Sequence, residues 1–234
     1  MTAGSSRQLV LDLPHRSAVG RDDFLVTPAN AAAVAMIDRY PDWPSPAMVL
    51  VGEPGSGKSH LLEVWRQASG AAAVEASQLG TVPVDQMLST GALTIDNAPG
   101  EALDERALFH LLNLARQTGG HVLIASERHP VDWNARLPDL ASRLKALPVA
   151  ELQPPDDDLL RGVLVKLIAD RQLVVDEAVI SYLMVRMPRS MAAAQQLVAK
   201  LDQLALTEQM AITRHLASRV LQELTEPDLF DSGD

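Results

Sequence analysis

Residues 52–59 read Gly-Glu-Pro-Gly-Ser-Gly-Lys-Ser, which is the spacing of a loop that binds nucleotide phosphates. The glycines let consecutive backbone N–H groups turn toward phosphate oxygens, the lysine reaches the terminal phosphates, and the final serine can bind Mg²⁺. An apolar run at 48–51 precedes the loop and a helical pattern follows it, which is the context that this chemistry requires. The candidate nucleotide-binding residues of this loop are Gly52, Gly55, Gly57, Lys58 and Ser59.

A second apolar run, 92–96, ends in an acid, Asp96, and supplies the usual partner of such a loop. We predict that Ser59 and Asp96 hold Mg²⁺ between them. Many nucleotide hydrolases carry another carboxylate at the next position, where it polarises the attacking water, but Asn97 cannot accept a proton. The sequence therefore predicts nucleotide binding with slow hydrolysis, unless a different residue positions the water.

Two further residues could act on phosphate. Ser126 ends the apolar run 121–126, where its hydroxyl could reach a terminal phosphate, although a surface serine fits that spacing equally well. Arg143 lies on a short helical pattern near the end of the strand-containing region. We interpret it as an arginine finger that enters the nucleotide site of a neighbouring subunit, the alternative being a solvated surface arginine.

The elements that must position these residues alternate between strands and helices over about the first 150 residues. Strands are predicted at 48–51, 72–75, 93–96 and 121–126, and helices at 27–39, 58–68 and 101–116. This alternation predicts an α/β fold with a mostly parallel sheet covered on both faces. After the Pro154-Pro155 pair the pattern changes to amphipathic helices without strands, at 156–171, 176–187, 190–207 and 213–224.

The domain organisation follows from that change of pattern. We predict a nucleotide-binding α/β domain at 23–153 and a small helical lid domain at 154–224. An extended arm at 1–22 precedes them, and a disordered acidic tail at 225–234 follows.

Composition and charge exclude several classes of protein. The 234 residues include no cysteine, which excludes a disulfide scaffold, a thiolate zinc site and a cysteine nucleophile. The net charge of −10 disfavours sequence-specific DNA binding by the chain alone. No apolar run approaches the 18 residues of a membrane span, and the apolar segment near the N-terminus is too short for a signal peptide. We expect a cytoplasmic protein with no metal site beyond Mg²⁺.

Taken together, these motifs resemble the AAA+ module of the bacterial replication initiator DnaA. The resemblance rests on the phosphate loop with His60-Leu61 after it and on the segments 95–97, 124–128, 142–144 and 212–216. It covers about residues 22–224 and implies a P-loop AAA+ fold with a helical lid, an adenine nucleotide on the loop, and Phe24, Leu25 and Val26 near the adenine. Relatives place a sensor arginine early on a lid helix, but three alanines, 192–194, occupy that turn. Arg189, the one arginine close to it, is the candidate for this contact with the nucleotide, and whether it replaces the usual sensor arginine stays open.

The arm carries a pattern of its own. Residues 8–13 resemble the Gln-x-x-Leu-x-Leu peptide by which bacterial proteins bind the sliding clamp of DNA polymerase III, the β subunit DnaN. In an extended chain Leu11 and Leu13 point to the same side and can fill an apolar pocket, while Gln8 satisfies polar groups and Leu9 extends the apolar segment. The alternative is an accidental apolar run.

An arm of this kind on a DnaA-like module, with no DNA-binding helix-turn-helix domain after it, resembles the Hda family of DnaA regulators. That resemblance implies a negative regulator of replication initiation that binds the DNA-loaded clamp and DnaA. It would work with ADP bound and would stimulate hydrolysis of DnaA-bound ATP through Arg143 supplied in trans.

The sequence is compatible with other functions. The main alternative is an autonomous AAA+ ATPase of the helicase-loader type; a small-molecule kinase and a scaffold with a vestigial nucleotide site are further alternatives. The Asn-Lys-x-Asp motif that recognises guanine does not occur in the sequence, which disfavours a GTPase. Whether the working nucleotide is ADP or ATP, and whether the protein associates with itself, does not follow from the sequence.

Overall fold

A parallel sheet of five strands lies at the centre of the computed structural model, which describes residues 24–100, 103–208 and 210–225. The strand order is β2-β3-β4-β1-β5, and every pair of neighbouring strands is parallel. The strands are β1 (Ala47–Val51), β2 (Ala72–Glu75), β3 (Ala92–Ala98), β4 (His121–Ser126) and β5 (Val149–Glu151). All five residues of β1 are buried, as expected for a parallel strand that is covered on both faces.

Helices cover both faces of this sheet. They are α1 (Ala31–Ile37), α2 (Lys58–Ser69), α3 (Val84–Met87), α4 (Glu105–Thr118) and α5 (Pro138–Ala146). Successive residues of β1 point to opposite faces, so Met48 and Leu50 pack in the core that contains α1 and α2. Val49 and Val51 pack in the core that contains α4 and α5.

Among the described residues after β5 there are four further helices: α6 (Asp157–Asp170), α7 (Glu177–Arg186), α8 (Met191–Glu208) and α9 (Arg214–Thr225). They enclose a separate apolar core, in which Leu164, Leu183 and Leu197 are fully buried. The parallel sheet flanked by helices, followed by this helical region, confirms the predicted fold class. In the part of the chain that is described, no helix is both long and apolar enough to cross a bilayer.

Element boundaries differ from the prediction where side chains bind the backbone. The first helix begins at Ala31 rather than Thr27, because the Asn30 side chain accepts from the Thr27 N–H at 2.9 Å and donates to the Leu25 carbonyl at 2.9 Å. Likewise α4 begins at Glu105, four residues later than predicted, where the Asp104 carboxylate caps the helix N-terminus. The sequence does not predict α3 or β5, since four and three residues are too few to show a period.

Candidate functional site

The phosphate loop joins the carboxyl end of β1 to the start of α2. Gly55 has φ of 73° and Gly57 has φ of 97°, a region of backbone conformation that favours glycine. The Gly52 N–H donates to the carbonyl of Ser126 at 3.1 Å, which fixes the start of the loop to the end of β4. The loop therefore has the strand-to-helix context that the sequence predicts, with its N–H groups at the beginning of a twelve-residue helix.

Lys58 extends back over this loop. Its Nζ donates to the carbonyl oxygens of Gly52 at 2.7 Å and Glu53 at 2.9 Å. Burial lowers the pKa of Lys58, while the nearby carboxylates of Glu127 and Asp96 act in the opposite direction. The ammonium group is thus held at the mouth of the loop, where phosphate oxygens could take the place of the two carbonyls.

Two observations test whether the loop fits a nucleotide with Mg²⁺. The hydroxyl of Ser56 is buried and has no hydrogen-bond partner among the described residues, a state that costs about 1–3 kcal/mol unless a ligand supplies one. Ser59 and Asp96 line one cavity of about 250 Å³ and offer the oxygen ligands that Mg²⁺ prefers. The residues of the loop and of β3 therefore fit a phosphate chain with its metal ion.

Asn97 follows Asp96 near the end of β3 and is hydrogen-bonded to a residue of β2. Its φ is 57°, its N–H donates to Asp96 Oδ1 at 2.8 Å, and its Nδ2 donates to Glu75 Oε2 at 2.8 Å. Glu75 lines the same cavity as Ser59 and Asp96. Glu75 is not among the site residues predicted from the sequence, although its position at the end of a predicted strand, like that of Asp96, indicates the same edge of the sheet.

Ser126 lies close to the phosphate loop, but its hydroxyl is already engaged. It is fully buried, donates to the Arg128 carbonyl at 2.6 Å and accepts from Trp133 Nε1 at 3.2 Å. Ser126 and Lys58 line a common cavity of about 380 Å³. The residue is near the position where a terminal phosphate is expected, while its hydrogen bonds stabilise the turn after β4.

A smaller cavity of about 70 Å³ lies between the sheet region and the helices α6 and α8. Phe24 and Leu25 line it, and the Phe24 ring meets the His60 ring edge-on with centroids 5.2 Å apart. Val26 is not among the lining residues and is 47% exposed. Of the three residues expected near an adenine, the structure therefore brings two to this cavity.

The start of α8 packs directly on the phosphate loop. The Met191 N–H donates to the Gly55 carbonyl at 3.0 Å, and Ala192 lies beside the same glycine. Arg189 is turned away and forms an ion pair with Asp157 at the start of α6. The structure thus brings Met191 and Ala192 to the loop, rather than the arginine that the sequence analysis expected there.

Arg143 lies at the opposite end of the sheet from the phosphate loop. Its guanidinium group stacks over the Phe109 ring at 4.9 Å, and it lines a cavity with Ala47, the first residue of β1. The phosphate loop follows the last residue of β1, so the five-residue strand, about 16 Å long, separates the two ends. Arg143 is therefore directed away from the loop of its own chain.

The residues predicted to bind the sliding clamp are not part of this site as the structure describes it. Gln8, Leu9, Leu11 and Leu13, the expected clamp-binding residues, lie outside the described residues. Within the described ranges, histidine and acidic side chains form no group of three that could hold a metal ion.

Comparisons with known proteins identify the fold. A scan against models of protein families finds no match. Domain III of the Thermotoga maritima replication initiation protein DnaA superposes with a TM-score of 0.76 at 20% identity, covering 92% of this chain and all of that domain. This is the DnaA-like AAA+ fold.

Two other solved structures share this AAA+ fold. DnaA from Aquifex aeolicus, bound to AMPPCP, gives a TM-score of 0.61 at 18% identity over 80% of this chain and 65% of that chain. The Thermotoga maritima RuvB Holliday junction branch migration motor gives 0.62 at 16% identity over 88% of this chain and 72% of that one. The chain thus spans about two thirds of the nucleotide-bound DnaA, and at these identities the likeness establishes the fold alone.

Proposed function

We propose that this protein is a DnaA-related AAA+ regulator of the Hda type, which binds the DNA-loaded sliding clamp and stimulates hydrolysis of ATP held by DnaA. It would act in the cytoplasm as a negative regulator of replication initiation. The observation that carries the proposal is the position of Arg143, at the end of the sheet opposite to the phosphate loop of its own chain.

The surroundings of Arg143 suit a residue that acts on another chain. Among the described residues it forms no ion pair with a carboxylate, so its charge is not neutralised. The Phe109 ring supports the guanidinium group, which limits the orientations that it can adopt. An arginine finger supplied in trans typically accelerates phosphoryl transfer by about 10³ to 10⁵, or roughly 4–7 kcal/mol.

We further propose that the chain itself holds an adenine nucleotide, ADP in the working state, with Mg²⁺. The glycines of the loop together with Lys58 would bind the phosphates, Ser59 and Asp96 the metal ion, and Phe24 the base. Mg²⁺ supplies charge neutralisation on the phosphates when it is bound. Asn97 cannot accept a proton from water, which supports a nucleotide that turns over slowly.

The likeness of residues 8–13 to clamp-binding peptides supports the clamp as a partner. A single short peptide of this kind binds at about micromolar affinity, or roughly 8 kcal/mol. The two grooves of a dimeric clamp would add avidity if the regulator associates with itself.

The decisive experiment follows ATP pre-bound to DnaA in the presence of DNA-loaded clamp. Four proteins are compared: the intact chain, Arg143→Ala, Gln8→Ala and the control Arg106→Ala, which changes an exposed arginine of α4. We expect rapid hydrolysis with the intact chain and with the control, and loss of stimulation with the other two. Binding of ADP to Arg143→Ala should be unchanged, and full stimulation by that variant would rule out the trans finger.

One observation favours a second candidate, an autonomous ATPase. The carboxylate of Glu75 lies against Asn97 and lines the cavity of Ser59 and Asp96, so it could orient a water in place of the missing acid. ATP turnover by the chain alone, abolished by Glu75→Gln, would support this candidate over the regulator.

A further inference from the structure

A cavity of about 320 Å³ opens at the amino-terminal edge of the sheet. It lies between the segment that leads into β1, the last turn of α4 and the last turn of α5. Its walls are largely apolar, with Pro46, Leu112 and Leu147 among them. Among the described residues that line it, the charged groups are two arginines, Arg116 and Arg143, and none is a carboxylate.

Neither arginine is neutralised within the part of the chain that is described. Arg66, Arg161 and Arg219 each pair with a glutamate, whereas Arg116 and Arg143 have no carboxylate of a described residue within 4 Å. Two uncompensated positive charges in one concave, apolar-walled site concentrate the positive potential there, even though the whole chain has a net charge of −10. The cavity is therefore suited to an anion.

A purely structural role accounts for the two arginines less well. Each lies in the last turn of its helix, where a positive charge stabilises the helix dipole. That role does not require the two side chains to line the same cavity. Lys145, in the same turn of α5 as Arg143, stabilises the helix dipole but is not among the residues that line this cavity.

The donor chemistry identifies the class of anion. Guanidinium groups present planar pairs of N–H donors that match the oxygens of a phosphate, and apolar walls strengthen such contacts by excluding water. We propose that this cavity is a phosphate-binding site in which Arg116 acts together with Arg143, and that the phosphate belongs to a nucleotide held by a neighbouring AAA+ chain. The identity of that neighbour rests on the proposed function, whereas the assignment of Arg116 and of the cavity does not.

The cavity can be tested directly by titrating inorganic tripolyphosphate into a Lys58→Ala chain, in which the phosphate loop has lost its lysine. Arginine side-chain NMR signals report the contact. We expect the Arg116 and Arg143 signals to shift and saturate, and Arg116→Ala to weaken binding about tenfold. Arg106→Ala, on the same helix but not a lining residue, should leave binding unchanged. Shifts that do not saturate, or that are equal in all variants, would overturn the site.

Hydrolysis of DnaA-bound ATP tests the source of the phosphate. At saturating protein we expect Arg116→Ala to slow stimulation about tenfold or more, and Arg116→Lys to restore part of it because the positive charge is retained. The intact chain could stimulate hydrolysis while Arg143→Ala does not, with the same stimulated rate in Arg116→Ala as in the control Arg106→Ala. That result would show that Arg116 has no part in the reaction, and the proposed function would still stand. If the intact chain itself fails to stimulate, the proposed function and the DnaA-bound source are lost, and the titration alone decides the cavity.

Discussion

The amide of Asn97 donates a 2.8 Å hydrogen bond to the carboxylate of Glu75, across the neighbouring ends of β3 and β2. Asn97 also donates its backbone N–H to Asp96, the residue expected to hold Mg²⁺. The carboxylate that many hydrolases carry after the metal ligand is therefore replaced by an amide, and a carboxylate is present on the adjacent strand instead. The two candidate functions predict different consequences of exchanging these groups.

We expect the double substitution Asn97→Glu with Glu75→Gln to raise ATP turnover by the chain about a hundredfold. The exchange keeps one amide and one carboxylate in hydrogen-bonding positions and moves the proton acceptor to the strand of Asp96. Turnover of ATP by the isolated protein is the measurement. The single change Asn97→Glu should destabilise the fold, since it opposes two carboxylates.

Glu75→Gln alone separates the candidates. For a regulator that turns over its nucleotide slowly, this variant hydrolyses ATP no more slowly than the intact chain. A loss of turnover in Glu75→Gln would mean that Glu75 already positions the water, and the autonomous ATPase would then be the better description.

The contact between α8 and the phosphate loop predicts different effects of alanine at two glycines. Gly55 and Gly70 have φ of 73° and 68°, so alanine at either costs about 1–2 kcal/mol of stability. A Cβ at Gly55 would lie 3.1 Å from the side chains of Ser190 and Ala192, whereas a Cβ at Gly70 meets no atom of the described residues within 4 Å. We expect Gly55→Ala to weaken ADP binding as well, and Gly70→Ala to leave it unchanged.

Urea unfolding and titration with a fluorescent ADP analogue measure these two effects separately. Equal losses of stability with equal ADP affinity in both variants would show that packing of α8 on the loop does not affect nucleotide binding.

Two stacked tryptophans provide a matched pair for hydrogen-bond energetics. The rings of Trp43 and Trp65 are 5.1 Å apart and both are buried. Trp43 Nε1 donates to the Ile37 carbonyl at 3.2 Å, whereas Trp65 Nε1 has no partner among the described residues. Trp43→Phe should therefore cost about 1 kcal/mol more than Trp65→Phe, because only the former removes a hydrogen bond, although the Ile37 carbonyl still accepts from the Tyr40 N–H at 3.0 Å.

Circular dichroism during urea unfolding gives both values without depending on tryptophan fluorescence. A larger loss in Trp65→Phe would contradict the prediction and would indicate that the Trp65 indole has a partner in solution.

The parts of the site that the sequence predicts are those that depend on neighbours in the chain. The phosphate loop, its preceding strand and Asp96 follow from short patterns in which local order determines geometry. Glu75 does not, because its role depends on β2 pairing with β3, a fact of sheet order. The convergence of Arg116 and Arg143 likewise requires knowing that α4 and α5 end at the same edge of the sheet.

Side-chain orientation marks the other limit of sequence reasoning. The sequence predicts Arg189 and Ser126 near the nucleotide from their positions along the chain. Their polar groups, however, bind Asp157 and the turn at Arg128, partners that the pattern does not reveal. A competing partner nearby decides where a polar side chain points, and such partners become visible only once the chain is folded.

The ion pair between Glu63 and Arg66 predicts a small pH dependence of the free energy of unfolding. Hydrogen bonds from Arg66, foremost, lower the pKa of Glu63 from 4.5 to about 2. A carboxyl group whose pKa is lower in the folded state stabilises the fold above its unfolded pKa, and this contribution is lost as the pH falls from 4.5 toward 2. Both side chains are about one third exposed, so we expect this pair to contribute about 0.3–0.5 kcal/mol to the free energy of unfolding at neutral pH.

The measurement is the free energy of unfolding of the intact chain and of Glu63→Gln. The difference between the two proteins should shrink as the pH falls from 4.5 toward 2. In an Arg66→Ala background the pH-dependent part of the difference should become smaller, with only the hydrogen bond from the Gln67 amide at 2.9 Å left to lower the pKa of Glu63. An undiminished difference would show that Arg66 is not the main cause.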